Sequence, residues 1–122
     1  MNYELIDNFL EPKDLKKIQD LFLGRKIAWN CSDGIVLPGD GAFQFIHVLY
    51  SNYAPASPFF NELTPIWQKI DPCSIVRSKA NLTMKTVEHD KSAYHTDVDN
   101  CITAIYYVNT NNGYTEFQNG MK

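Results

Sequence analysis

The sequence predicts an α+β fold in which early helices brace a later, largely antiparallel sheet. Three observations carry this. Apolar residues recur at helical spacing in the first part of the chain, at Leu15, Ile18 and Phe22 and again at Leu63, Ile66 and Ile70. Alternation of polar and apolar residues then governs positions 74–86. Finally, two β-forming runs, 102–108 and 114–118, flank a turn signal at 109–113. Helical periods first and strand periods afterwards suit a layered α+β arrangement. With 122 residues the chain has the length of a single domain, taken here as 1–122. A chain of this size can bury roughly two-thirds of its unfolded surface, so a true core is expected.

Residues 3–6 read as a short strand. Glu11-Pro12 opens the first helix, with proline suited to the first turn, and Gly24 stops it. Leu15, Ile18, Leu21 and Phe22 form its apolar face, and Lys13, Lys16 and Lys17 its solvated one. Gly34, Pro38, Gly39 and Gly41 mark residues 32–41 as a loop, either a cover for a substrate or a plain connector. Residues 43–50 read as a strand. Residues 55–72 are helical in character, with Ser57 as cap and Pro58 in the first turn. Pro65 either kinks that helix or starts a second one capped by Thr64. Leu63, Ile66, Trp67 and Ile70 are expected to face the core. Residues 74–86 read as a long half-buried strand. Arg77, Lys79, Asn81, Thr83 and Lys85 lie on one face, with Val76, Ala80, Leu82 and Met84 on the other. A charged loop, 87–94, precedes the final strand pair.

The formal charge of -3, from 14 acidic and 11 basic side chains, gives no electrostatic reason to expect nucleic-acid binding. Cys31, Cys73 and Cys101 are odd in number and have no C-x-x-C spacing, so free thiols in a reducing compartment are the simple reading. Residues 1–10 have no signal-peptide pattern, and no apolar run approaches the roughly 20 residues of a membrane span. A cytoplasmic protein without membrane contact is expected.

The sharpest chemical feature is His95-Thr96-Asp97. Residues two apart in a strand project to one face, so an imidazole nitrogen and a carboxylate oxygen would converge. Two histidines and one carboxylate on one side of a metal leave positions open for other ligands, the arrangement of non-haem Fe(II) oxygenases. Taken alone, the tripeptide reads better as an exposed His and Asp in a polar loop. Of the other histidines, His47 reads as a partly buried structural residue and His89 as a solvated one. Tyr94, Tyr106 and Tyr107 could line a pocket, although buried aromatics serve packing first.

The surrounding residues shift that balance. His95-Thr96-Asp97 is followed by Cys101-Ile102-Thr103-Ala104-Ile105-Tyr106-Tyr107-Val108-Asn109, a turn, and Gly113-Tyr114-Thr115-Glu116-Phe117. This series resembles the prolyl-4-hydroxylase-like branch of the Fe(II)- and 2-oxoglutarate-dependent oxygenases. Ile6-Asp7-Asn8-Phe9-Leu10 is similar to that family's opening. The resemblance implies a double-stranded β-helix (a cupin-like jelly roll) with Fe(II) as cofactor, 2-oxoglutarate as co-substrate, and hydroxylation of a protein or small-molecule substrate. It implies His95 and Asp97 as metal ligands. Thr115 matches a threonine that bonds the far carboxylate of 2-oxoglutarate, an ordinary strand threonine being the alternative. Asn81 lies where relatives place side chains against the co-substrate, a surface or turn-satisfying asparagine being the alternative.

The family pattern also needs a later histidine and a basic clamp for the co-substrate carboxylate. No histidine follows His95 and no arginine follows Arg77. The resemblance therefore implies the front two-thirds of an oxygenase jelly roll. An inactive jelly-roll interaction module and a cupin-like metal protein without co-substrate are the alternatives, and so is completion of the sheet by another chain. Self-association through exposed sheet edges is expected.

Overall fold

A computed structural model describes residues 2–122. It has two α-helices and a four-stranded antiparallel sheet, so the expected α+β class holds. The chain divides into two compact units. The first runs to Ala28 and resumes over His47–Ala80; the second comprises Trp29–Ile46 and Asn81–Lys122.

In the first unit, helix α1 spans Pro12–Phe22. Pro12 sits in the first turn, where its missing N–H costs nothing. Ile18 and Phe22 are buried, while Lys13, Lys16 and Lys17 are exposed, as their spacing predicts. The helix closes with the Leu23 N–H donating to the Gln19 carbonyl. Gly24 follows because the backbone leaves no room: a Cβ there would lie 2.3 Å from the Asp20 carbonyl oxygen. Past Ser57, a 3-10 turn at Phe60–Leu63 leads into helix α2, Thr64–Ile70. Pro65 thus starts a second helix rather than kinking a long one. Thr64 does not cap it: Leu63 holds the cap position, and the Thr64 hydroxyl instead donates to the Asn61 carbonyl at 2.5 Å. Asp71 ends α2 in a left-handed conformation, and Pro72 follows.

Leu10, Ile18, Phe22, Ile27, Leu49, Leu63 and Ile66 form the core of this unit. Leu63 and Ile66 face inward as expected, whereas Trp67 is half-buried and Ile70 is exposed. The α2 helix has only seven residues, so its buried stripe is too short to include both ends.

The sheet is built on β2, Gln44–Ser51. Strand β1, Asn30–Ser32, runs antiparallel to it with Cys31 opposite Phe45. Strand β3, Ala54–Pro55, folds back on its far end with Tyr50 opposite Pro55. Strand β4, Ser78–Leu82, also pairs with β2.

Four strand expectations need correction. Residues 3–6 are coil, with Leu5 well exposed. The long strand over 74–86 shrinks to the five residues of β4. Residues 102–108 and 114–118 form no ladder among the described residues. Their β propensity is real, but propensity expresses fit to a half-covered pleated surface, and here that cover is missing. Ile102 is fully exposed, and Ile105 and Tyr107 are largely so. The turn between them does form: Asn111 donates to the Asn109 carbonyl and accepts from the Gly113 N–H, both at 2.8 Å.

No helix among the described residues is long and apolar enough to cross a membrane. Cys31, Cys73 and Cys101 are all exposed and unpaired with one another.

Candidate metal centre

The sequence-derived ligands lie in the second unit, in a stretch without helix or strand between β4 and residue 102. His95 Nε2 stands 3.6 Å from Asp97 Oδ1. The two side chains are 37% and 43% exposed, so the space in front of them is open. On its other side His95 Nδ1 lies 2.8 Å from the Ala93 carbonyl oxygen. A carbonyl can only accept, so Nδ1 carries a proton, and Nε2 is the ring nitrogen turned toward Asp97. Metal-binding histidines are oriented by this kind of bond. A ring nitrogen and a carboxylate oxygen this close are donor types that one cation could share. Among the described residues no third His, Cys, Asp or Glu joins them in a group.

Thr115 is half-buried, and its Oγ1 lies 2.7 Å from the Tyr107 hydroxyl. That bond joins the two arms on either side of the 109–113 turn. Asn81 is exposed on β4 and shares no hydrogen bond with His95, Asp97 or Thr115 among the described residues. The structure thus brings His95 and Asp97 together, ties Thr115 to Tyr107, and leaves Asn81 apart from these bonds.

A second cluster escaped sequence reasoning. The Glu116 carboxylate accepts the Tyr94 hydroxyl at 2.7 Å on Oε1 and the Lys91 ammonium at 3.0 Å on Oε2. Lys122 approaches Oε2 at 3.6 Å and lies over the Tyr114 ring at 4.5 Å. The Tyr94 and Lys91 hydrogen bonds hold the Glu116 carboxyl below its ordinary range. The bond to Glu116 raises the pKa of Tyr94 and that of Lys91 in turn. At neutral pH the cluster is therefore carboxylate, ammonium and neutral phenol. His89 is not merely solvated: its Nε2 lies 2.8 Å from the Asn112 carbonyl oxygen and its ring meets Tyr114 edge-on. Partners 22 to 25 residues apart carry no sequence signal of their pairing.

Two other features lie in the first unit. In the first unit His47 is buried, with Nδ1 2.7 Å from the Ala28 carbonyl and Nε2 2.7 Å from Ser57 Oγ. Ser57 Oγ also accepts the Phe59 N–H at 3.1 Å. This relay fixes the entry to the 3-10 turn, in line with the structural role expected of His47. An open groove of about 510 Å³ is walled by Tyr50, Phe60, Trp67, Cys73 and Ile75. It contains none of the candidate metal or co-substrate residues, so its size has no bearing on the metal chemistry. The Trp67 indole N–H beside it is buried without an acceptor.

Scans against protein-family models, curated proteins and solved structures return no match.

Proposed function

We propose that this chain forms the metal-holding part of an Fe(II)- and 2-oxoglutarate-dependent oxygenase with a jelly-roll core, acting on a protein or small-molecule substrate. The observation that supports it is the His95–Asp97 pair: Nε2 and Oδ1 are 3.6 Å apart, with the opposite ring nitrogen held by the Ala93 carbonyl. The residue order from Ile102 to Phe117 gives the same reading from sequence.

When bound, iron would let dioxygen place one oxygen atom in a substrate C–H bond, giving C–OH, while its other atom enters 2-oxoglutarate, which leaves as succinate and carbon dioxide. His95 contributes a neutral nitrogen donor and Asp97 a carboxylate, which offsets part of the cation's charge. Their exposed side leaves room for further ligands. In this reading Thr115 binds the distal carboxylate of the co-substrate. Either hydroxyl of the Tyr107–Thr115 pair can donate, and when Tyr107 does, the threonine's own proton is left for that carboxylate. A cytoplasmic setting, in which the three exposed thiols stay reduced, belongs to the same proposal.

The test is an anaerobic titration with Fe(II) followed by 2-oxoglutarate, read by the visible metal-to-ligand charge-transfer band. The expected result is a band that His95→Ala and Asp97→Ala each abolish. Metal binding that 2-oxoglutarate leaves unaltered would instead favour a cupin-like metal protein. Absence of metal binding in the wild-type chain would sink the reading in favour of an interaction module.

A further inference from the structure

We propose that Glu116 is the positioning residue of the metal-binding loop, acting through Tyr94 and Lys91; this rests on the metal reading of His95 and Asp97. Ligands must be held to within about 0.5 Å for a site to work, and regular secondary structure ordinarily supplies that precision. Residues 87–101 form neither helix nor strand, so side chains must do the holding. One carboxylate takes up two of the long-range bonds described above. Glu116 Oε1 holds Tyr94 and Oε2 holds Lys91, at 2.7 and 3.0 Å. Its side chain is 18% exposed, and that of Lys91 60%.

The position of Tyr94 gives the arrangement its leverage. The Ala93 carbonyl that orients the His95 ring belongs to the peptide joining Ala93 to Tyr94. The Tyr94–Glu116 bond therefore anchors the residue next to the carbonyl that orients the His95 ring. Glu116 also directly follows Thr115, so the candidate co-substrate residue and the candidate ligands share one anchor. Lys91 keeps the carboxylate from carrying an unpaired charge in this shielded place.

The experiment compares the wild-type chain with Glu116→Ala, Glu116→Gln and Tyr94→Phe, using Co(II) alone as the probe. Cobalt uptake is followed by its visible absorption, and the His95 ring by NMR in the metal-free chain. Glu116→Ala is expected to weaken cobalt binding about tenfold, as loss of a supporting partner does at metal sites. It should also shift the His95 ring resonances before any metal is added. Glu116→Gln keeps an acceptor for Tyr94 and should recover much of the affinity. Tyr94→Phe removes one hydroxyl, gives a milder defect of the same kind, and provides the answer should Glu116→Ala fail to fold. Unchanged affinity and unchanged His95 resonances in Glu116→Ala and Tyr94→Phe would overturn the assignment to Glu116 alone. A wild-type chain that takes up no cobalt would remove the metal reading, and the role of Glu116 with it.

Discussion

The two units of this chain are held together by different physics. Every buried apolar side chain among the described residues belongs to the first, from Leu10 through Ile66. The second buries Gln44 and exposes Phe43, Met84, Val87, Ile102 and Ile105. In place of a core it has carboxylate-centred hydrogen bonding. Asp40 accepts the N–H groups of Val36 at 2.9 Å, Ala42 at 3.0 Å, and Leu37 and Ile35 at 3.2 Å each. Glu116 plays the same part for Tyr94 and Lys91. A hydrophobic core survives the loss of one surface polar group, whereas a unit organised by two carboxylates depends on each of them. The candidate chemistry lies in the second kind of unit.

The sharpest way to break this contrast is to truncate the same kind of side chain in each unit. Ile18 and Leu49 are 1% and 2% exposed, so Ile18→Ala or Leu49→Ala should cost about 2–5 kcal/mol in denaturant unfolding. Ile102→Ala and Ile105→Ala should each cost less than about 0.5 kcal/mol. Comparable losses in both units would show that the second has a core of its own. The sequence predicts self-association through exposed sheet edges, but the largest exposed aliphatic side chains of the second unit include Ile102 and Ile105, outside any strand: the wild-type chain should sediment above monomer mass, and Ile102→Lys with Ile105→Lys should return it toward monomer. A wild-type monomer at all concentrations would refute that proposal.

A finer cut falls on Asp40. Its bonds to the Val36, Ala42, Leu37 and Ile35 amides lower its pKa from 3.8 to about 2. A depressed carboxylate pKa stabilises the fold fully above the unfolded value, and that contribution is lost as pH falls through the folded one. The amide resonances of Val36 and Ala42 should therefore titrate with a midpoint near about 2, and Asp40→Ala should collapse their dispersion at neutral pH. The smallest effect is expected at the surface of α1. The Lys16–Asp20 pair is 2.9 Å long but well exposed, so Lys16→Ala should change stability by less than about 0.5 kcal/mol.

The first unit was largely legible in the sequence because its determinants are local. Ile18 and Phe22 recur at helical spacing, Pro12 and Gly24 punctuate the helix, and β2 lies within one residue of its expected bounds. The second unit was less so. Residues 102–108 carry every strand preference, yet a ladder requires a partner that no local pattern supplies. Residues 34–41 announced a loop through their glycines, but not that Asp40 would organise it. At Gly34 the chain passes so close to itself that a Cβ would sit 1.9 Å from the Leu37 carbonyl oxygen. His95 and Asp97 were found because they are two residues apart. Glu116, more than twenty residues from Tyr94, could be seen only in three dimensions.

The chain's two tryptophans fall one to each unit, Trp29 in the second and Trp67 in the first. Trp67 keeps its indole N–H away from water and from any acceptor. Its fluorescence should therefore lie to the blue of a fully exposed tryptophan. Replacing either indole by phenylalanine leaves a chain whose emission follows one unit alone. The core-built and carboxylate-built halves can then be watched melting separately in a single cuvette.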